Sequence, residues 1–188
     1  PNPILRYFIT DNTKALGFSN INSTPLSLDE VSSILSKASE NSLSLEACQT
    51  QVQKLISRDV RKRFAVYYTV EQGVQFMVSV VKEYLRHREK EKVVLADPFL
   101  GSACTLTAAI KELEVKKIEK VWGIEPLLLP ALVAYAALLQ TTGGREDLIT
   151  VINGDAFKEI PKMMTSPDSS PKLPKADIIL TNPPFTRW

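Results

Sequence analysis

Residues 93–113 read VVLADPFLGSACTLTAAIKEL, and this stretch contains the pattern that decides the fold. A short apolar run at 93–96 ends at Asp97, which is typical of a buried parallel strand. Gly101 then offers a position where the backbone can turn sharply and approach a ligand closely. Apolar residues at helical spacing follow over about 105–113. The stretch therefore predicts a strand, a tight turn and a helix in succession.

The same order of elements recurs on both sides of this stretch. Further strands are predicted at 120–124, 149–152 and 176–180, and further helices at 71–88 and 127–139. Strands that alternate with helices form βαβ units, which build a parallel sheet with helices on both faces. We therefore predict an α/β fold with a doubly wound, largely parallel, Rossmann-like sheet. The prolines and serines between 158 and 175 predict a surface loop after a short helical turn.

The length of 188 residues allows one substantial core and one small additional unit, because domains usually contain about 100 to 200 residues. Helical spacing that begins with the capping-box pattern SLDE at 27–30 predicts a small N-terminal helical region over 1–62. The α/β domain is assigned to 63–188. Because the chain begins at Pro1 without a methionine and ends at Trp188, soon after a Pro-Pro motif, we expect it to be a fragment.

The composition is that of an ordinary soluble globular protein, with 44% hydrophobic and 23% charged residues. No apolar run approaches the roughly 18 residues needed to cross a membrane, and no leader pattern begins the chain. We therefore expect a cytoplasmic protein. The net charge of +2 is too small to indicate nucleic-acid binding by itself. The two cysteines, Cys48 and Cys104, lie far apart in sequence, which predicts free thiols and no metal site.

Acidic side chains follow the second and third strands of the α/β region. Glu125 stands about 24 residues after Gly101, where an acid can accept hydrogen bonds from both hydroxyls of a ribose. Asp155 is followed by Phe157, and an acceptor beside an aromatic ring can hold the edge and face of an adenine. Taken singly, these residues also fit a tight turn, a carboxylate at a helix N-terminus, and a helix cap with a core aromatic. In a doubly wound sheet they meet at the carboxyl ends of the strands, where ligands bind.

The sequence ADIILTNPPF at 176–185 places a polar loop directly after an apolar strand. Pro183 and Pro184 fix an extended backbone with few hydrogen-bond donors. Such a loop can direct the side-chain carbonyl of Asn182 and a backbone carbonyl to one amino group, which localises the nitrogen lone pair for attack. Phe185 is placed to stack on a base that has been taken out of its duplex. A plain Asn-Pro-Pro turn with a packed phenylalanine is the alternative.

Together these loops resemble those of the N6-adenine DNA methyltransferases, and the resemblance covers 64–185. It implies S-adenosylmethionine as the cofactor and DNA, with the target adenine flipped out, as the substrate. Asn182, Pro183, Pro184 and Phe185 match the catalytic loop of that family. The cofactor contacts implied by the resemblance are those of Asp97, Phe99, Gly101, Glu125, Asp155 and Phe157.

Upstream, the segment RFAVYYTV at 63–70 resembles the one that precedes the cofactor loop in the γ arrangement of these enzymes. There it closes over the methionine part of the cofactor, and Tyr67, Tyr68 and Thr69 are the matching residues. The region before it is similar to that of modification subunits of type I restriction systems and related fused enzymes. The resemblance therefore implies a restriction-modification system, with a specificity or restriction subunit or domain as a further partner.

The sequence departs from the family pattern in two places. Ala103 stands where a second glycine is usual, so the loop has to accommodate a β-carbon. In the family, further strands and a target-recognition domain follow the catalytic loop, and this sequence contains neither. We therefore expect the chain by itself to bind cofactor weakly and not to turn over.

Two other classes of function fit the same residues. Asn-Pro-Pro loops also resemble those of guanine-N2 methyltransferases of RNA and of glutamine methyltransferases of release factors, although the tyrosine segment at 67–69 favours DNA. A non-catalytic nucleic-acid-binding scaffold that keeps the fold without turnover is the other hypothesis, and Ala103 supports it.

Overall fold

The computed structural model describes Gln49 and residues 71–87, 91–165 and 173–184. The helical region predicted over 1–62 lies outside these ranges except for Gln49, so its boundary stays a prediction. In the described part of the chain the elements, in order, are α1 (Glu71–Arg86), β1 (Val93–Asp97), α2 (Cys104–Leu113), β2 (Ile118–Glu125), α3 (Leu128–Thr141), β3 (Ile149–Asn153), α4 (Ala156–Thr165) and β4 (Ile178–Ile179). Short 3-10 turns at Val115–Lys117 and Glu146–Leu148 lead into β2 and β3.

The four described strands form one parallel sheet in the order β3-β2-β1-β4. From β1 the chain builds outward through β2 to β3, and it then returns to the other side of β1 to form β4. This reversal creates a switch point between β1 and β4, where open α/β sheets have their ligand crevice. The predicted α/β, doubly wound parallel fold is therefore confirmed.

Side chains of β1 alternate between the two faces of the sheet, as they do in any strand. Leu95 packs on one face in a cluster that includes Leu106 of α2 and Leu138 of α3. Ala96 packs on the other face in a cluster that includes Ile160 of α4. Helices therefore cover both faces: α1, α2 and α3 pack on the face that contains Leu95, with α1 in contact with α2, and α4 packs on the other face.

The prediction of a loop between 158 and 175 is wrong in its first part, which forms most of helix α4. The helix runs for 10 residues to Thr165 and contains Pro161 within it. A proline inside a helix costs about 3 kcal/mol because it removes a backbone donor and crowds the preceding turn. Here Ala156, Ile160 and Met163 form an apolar stripe against the sheet, and that burial offsets the cost. The apolar spacing was masked by the proline and the serines that follow it.

Strand β4 is shorter than the strand predicted at 176–180. The carboxylate of Asp177 accepts a hydrogen bond from the Val94 N–H at 2.8 Å, where a backbone carbonyl would otherwise pair. The Asp177 N–H donates in turn to the Val94 carbonyl at 2.9 Å. Regular strand pairing therefore begins only after this residue.

Among the helices of the described ranges, none combines the length and apolar character that a membrane span requires.

Candidate functional site

The loop after β1 makes two left-handed turns before α2 begins. Gly101 has a φ of +56° and Ala103 a φ of +64°. The left-handed region costs an L-residue such as alanine about 1 kcal/mol, whereas glycine enters it freely. The loop therefore keeps its tight shape despite the β-carbon at Ala103, which is the N-cap residue of α2 and makes no side-chain capping bond.

Gly123, in the middle of β2, allows this loop to lie close to the sheet. A β-carbon at this position would stand 2.6 Å from Leu100 Cδ1 and 3.0 Å from the Asp97 carbonyl oxygen. The Leu100 N–H also donates to the Ile124 carbonyl at 2.9 Å. Gly123 was not singled out from the sequence, although a glycine inside a strand is a recognised sign of close backbone approach.

Glu125 connects the loop after β1 to the start of α3. Its Oε2 accepts the Gly101 N–H at 3.0 Å and its Oε1 accepts the Leu127 N–H at 2.9 Å. The residue is only 6% exposed. Burial raises the pKa of the Glu125 carboxyl to about 7. The two backbone N–H groups favour the charged form and so act to lower the pKa, but their effect is smaller than that of burial. An ionised carboxylate has about four lone-pair sites, so both oxygens retain capacity for further donors.

The end of β3 is tied to the same strand end. The Asn153 side-chain amide donates to the Glu125 carbonyl at 2.8 Å, and the Gly154 N–H donates to it at 3.1 Å. Asn153 is buried. Asn153 was not predicted as a site residue, because an asparagine at a strand end carries no signal of the partner 28 residues earlier. The loops after β1, β2 and β3 are therefore held together by hydrogen bonds.

A second buried carboxyl, that of Asp97, lies at the end of β1. Its Oδ1 accepts the Phe99 N–H at 3.0 Å. Burial raises the pKa of Asp97 to about 7, while the Thr181 hydroxyl and the Phe99 N–H act to lower it. The charge of Asp97 also raises the pKa of Glu125. The two carboxyls therefore share one electrostatic environment, in which a cationic ligand would favour ionisation of both.

The predicted catalytic loop begins beside Asp97. The Leu180 N–H donates to the Ala96 carbonyl at 2.9 Å, which sets the loop against the end of β1. Asn182 and Pro184 are half-buried and Pro183 is exposed; Phe185 lies outside the described residues.

Thr181, at the start of this loop, is a site residue that sequence analysis missed. Its hydroxyl lies close enough to the Asp97 carboxyl to lower the pKa of that group. Even so, no described group hydrogen-bonds to its buried Oγ1 with good geometry. A buried polar atom without a hydrogen-bond partner destabilises the folded chain. A ligand that offered a hydrogen-bond partner to the Thr181 hydroxyl would therefore bind more tightly.

Asp155 takes the role of a helix cap. Its Oδ1 accepts the Phe157 N–H at 3.0 Å, and its carbonyl accepts the Glu159 N–H at 2.8 Å, at the first turn of α4. Phe157 is 71% exposed and is therefore no core aromatic. Its ring meets that of Phe99 at a centroid distance of 5.5 Å and an angle of 50°. The structure thus brings Phe99, Asp155 and Phe157 together at the surface.

The other residues predicted for the site, Tyr67, Tyr68 and Thr69, lie outside the described residues. Within the described ranges, no group of three or more His, Cys, Asp or Glu side chains is arranged to hold a metal ion. Cys104 is a half-buried free thiol, and Cys48 lies outside the described residues.

No protein-family model matches the sequence, and no curated protein is significantly similar to it. Among solved structures, the chain is similar to a Listeria monocytogenes protein provisionally described as a class I S-adenosylmethionine-dependent methyltransferase, with 18% identity and a TM-score of 0.45. It is also similar to the type I restriction-modification system methyltransferase subunit from Streptococcus thermophilus, with 17% identity and a TM-score of 0.49. Each match covers 81% of this chain, but only 45% and 31% of those proteins, respectively.

Proposed function

We propose that this chain binds S-adenosylmethionine and carries the catalytic loop for methyl transfer to the N6 amino group of adenine in DNA. The observation that carries the proposal is the closure of Glu125 onto the Gly101 N–H at the carboxyl ends of β1 and β2. The Asn-Pro-Pro loop after β4 lies beside the same crevice, next to Asp97. A crevice of this kind, at the switch point of a parallel sheet, is where nucleotide-like ligands bind.

The polar and aromatic groups of the site fit the proposed cofactor. Glu125 has unused lone pairs that would accept the two ribose hydroxyls. Asp97 and Glu125 are buried carboxyls whose charged forms would be favoured by a neighbouring sulfonium. The exposed Phe157 ring would stack on the adenine ring of the cofactor, and the Asp155 carboxyl would accept from the amino group of that ring. The Thr181 hydroxyl, which has no well-aligned partner among the described residues, would be available to bond to a ligand there.

When bound, S-adenosylmethionine supplies an electrophilic methyl group. The chain's own contribution would come from the loop at 181–184. The side-chain carbonyl of Asn182 accepts an N–H of the substrate amino group, which concentrates the nitrogen lone pair away from the ring. Pro183 and Pro184 keep the loop extended and remove two backbone N–H groups that would otherwise compete for that carbonyl. Positioning rather than acid-base chemistry therefore provides the catalysis.

The nature of the acceptor rests on the resemblance of the Asn-Pro-Pro-Phe loop and of the segment at 67–69 to N6-adenine DNA methyltransferases. An adenine in a duplex would have to be flipped out to reach the crevice, and Phe185 would stack on it. A restriction-modification system is the setting that we propose, with a specificity or restriction subunit as partner and the cytoplasm as location.

Calorimetric titration with S-adenosylmethionine tests the cofactor part of the proposal. We expect saturable binding that Glu125→Ala and Asp155→Ala abolish. Glu119→Ala is the matched control, because Glu119 is an exposed glutamate on the same strand as Glu125. A folded chain that binds no cofactor under these conditions would contradict the proposal.

The acceptor is tested by incubating the protein with labelled cofactor and measuring methyl transfer. DNA, RNA and release-factor peptide are offered as separate acceptors, with Asn182→Ala as the inactive control. Label in N6-methyladenine of DNA alone supports the proposal. Label in RNA guanine or in glutamine would identify the alternative acceptors, and cofactor binding without any transfer would identify a scaffold.

A further inference from the structure

Gln49 is joined to the loop after β1 by a pair of reciprocal hydrogen bonds. Its side-chain Nε2 donates to the Ser102 carbonyl at 2.7 Å, and the Ser102 hydroxyl donates to the Gln49 carbonyl at 2.9 Å. The two residues are 53 positions apart in sequence. Both are buried, at 4% and 1% exposure. This bridge connects the loop to a part of the chain that lies outside the α/β sheet.

The bridge acts on the peptide unit that joins Ser102 to Ala103. Ser102 lies between the two left-handed residues Gly101 and Ala103. The peptide unit between Ser102 and Ala103 is planar, so its carbonyl and its N–H point in opposite directions. Gln49 holds the carbonyl, and the Leu100 carbonyl holds the Ala103 N–H at 3.0 Å. Both ends of this peptide are therefore fixed in the orientation that the left-handed Ala103 requires.

A third contact connects Gln49 to the first turn of α2. The Gln49 Nε2 lies 3.4 Å from the hydroxyl oxygen of Thr107. That hydroxyl donates to the Ala103 carbonyl at 3.0 Å, in the first turn of the helix. The polar groups on both sides of Ala103 are thus connected, directly or through one hydroxyl, to a single amide.

On the other side of Ser102, the Gly101 N–H is the group that donates to the Glu125 carboxylate. We infer that Gln49 is a positioning residue, which holds Ser102 and Ala103 so that the Gly101 N–H is directed at Glu125. Where ligand affinity is concerned, this inference rests on the proposed cofactor site. A role limited to filling a buried space would affect the stability of the chain without any specific effect on the ligand.

Gln49→Ala removes both donor bonds of the side chain and is compared with Gln75→Ala. Gln75 is an exposed glutamine whose amide contacts Glu71 on the same helix. At a temperature where both variants are fully folded, we expect Gln49→Ala to weaken S-adenosylmethionine binding about tenfold, about 1.4 kcal/mol. We expect Gln75→Ala to leave the affinity within about twofold of the original. Equal affinities in the two variants would overturn the inference.

The rescue experiment separates positioning from bulk stability. Ala103→Gly removes the strain that the bridge opposes, because glycine adopts the left-handed conformation freely. Adding Ala103→Gly to Gln49→Ala is expected to restore most of the lost affinity, whereas a loss caused by poor packing would persist. If Gln49→Ala does not fold, Ser102→Ala, which removes one bond of the bridge, takes its place in both measurements.

Amide hydrogen exchange gives a reading that needs no ligand. We expect faster exchange at 100–104 in Gln49→Ala, with unchanged exchange in β2. Unchanged exchange at 100–104 would contradict the positioning role even if affinity falls. Should the unaltered chain bind no S-adenosylmethionine, the proposed function fails, and the exchange result still decides the role of Gln49.

Discussion

The backbone N–H of Gly101 lies 3.0 Å from Oε2 of Glu125, so the glycine loop and the acid at the next strand end form one unit. The second oxygen of the same carboxylate accepts the Leu127 N–H at 2.9 Å. The orientation of Glu125 is therefore fixed before any ligand arrives. Preorganised acceptors of this kind bind hydroxyl groups without the entropic cost of ordering a side chain.

Replacing Glu125 with glutamine tests this arrangement. An amide has one acceptor oxygen and two N–H donors, so one of the two backbone N–H groups would face another donor. We expect S-adenosylmethionine affinity to fall about 10- to 100-fold, the range for hydrogen bonds to a charged group. Titration calorimetry measures the change, and Glu119→Gln on the exposed part of β2 is the control. An affinity within about twofold of the original would show that the carboxylate is not a ligand.

Asp97 gives a prediction about stability and pH. Folding raises the pKa of Asp97 from 3.8 to about 7. Between these two pH values, Asp97 is mostly ionised in the unfolded chain and mostly neutral in the folded chain. The folded state is therefore destabilised as the pH rises through this range. Asp97→Asn removes the titration and keeps the acceptor for the Phe99 N–H. We expect it to increase the free energy of unfolding at pH 8, on the order of 2 kcal/mol, with little change at pH 4.

Urea denaturation at several pH values measures this effect. Glu125 also has a raised pKa, so the variant should show a smaller pH dependence rather than none. Asp147 is the control, because its exposed carboxylate is paired with Arg145 and its pKa is lowered. Asp147→Asn should therefore not stabilise the chain at pH 8. A gain in Asp147→Asn equal to that in Asp97→Asn would contradict the explanation.

Cofactor affinity should rise with pH. Asp97 and Glu125 have pKa values of about 7, so both are partly neutral there. A bound cation favours their ionised forms, so binding releases protons and becomes tighter between about pH 6 and pH 8. The heat of binding should then vary with the ionisation enthalpy of the buffer. S-adenosylhomocysteine, which lacks the sulfonium charge, should show a weaker pH dependence, and equal behaviour of the two ligands would exclude this mechanism.

The exposed ring of Phe157 should matter for binding more than for stability. Phe157→Ala is expected to change the free energy of unfolding by less than about 0.5 kcal/mol, as surface substitutions usually do. It should weaken S-adenosylmethionine binding about tenfold, in line with the loss of one aromatic stacking partner. Phe76→Ala is the matched control, because Phe76 is 69% exposed on α1. Equal effects of the two substitutions on affinity would argue against a role for Phe157.

Gly123 should resist substitution. A β-carbon there would meet the buried side chain of Leu100 and the backbone carbonyl of Asp97. We expect Gly123→Ala to destabilise the chain by about 1 to 3 kcal/mol. At Gly154 a β-carbon would meet only the flexible Glu159 side chain, so Gly154→Ala should cost less. Thermal unfolding of the two variants checks the order, and a reversed order would show that the close approach at Gly123 is unimportant.

The sequence pattern predicted the parallel sheet, because apolar strands that alternate with amphipathic helices have few other ways to bury both faces. It also located the strand ends, and so Asp97, Glu125 and Asp155. Helix α4 was missed because Pro161 is a strong helix breaker in isolation, and only packing against the sheet offsets its cost. Local pattern describes such a segment poorly when tertiary contacts decide it.

The contacts that shape the site were harder to predict. Gln49 reaches Ser102 across 53 residues, and Asn153 reaches the Glu125 carbonyl across 28. Nothing in the local sequence of a glutamine or an asparagine indicates such a partner. Thr181 was not predicted as a site residue either, because its position beside Asp97 follows only from the pairing of β4 with β1. Residue type and spacing therefore located the acids at the strand ends but not the groups that orient them.

The side chain of Asp177 has a consequence for the loop that follows it. Because its carboxylate and its N–H occupy both polar groups of Val94, β4 cannot slide along β1 without leaving a buried donor unsatisfied. A shift of one residue would also exchange the faces of Ile178 and Ile179. By fixing this register, Asp177, the residue before β4, also fixes how far Thr181 and Asn182 extend beyond the end of β1. A single aspartate at the opposite end of the segment thus sets the position of the Asn-Pro-Pro loop at the crevice.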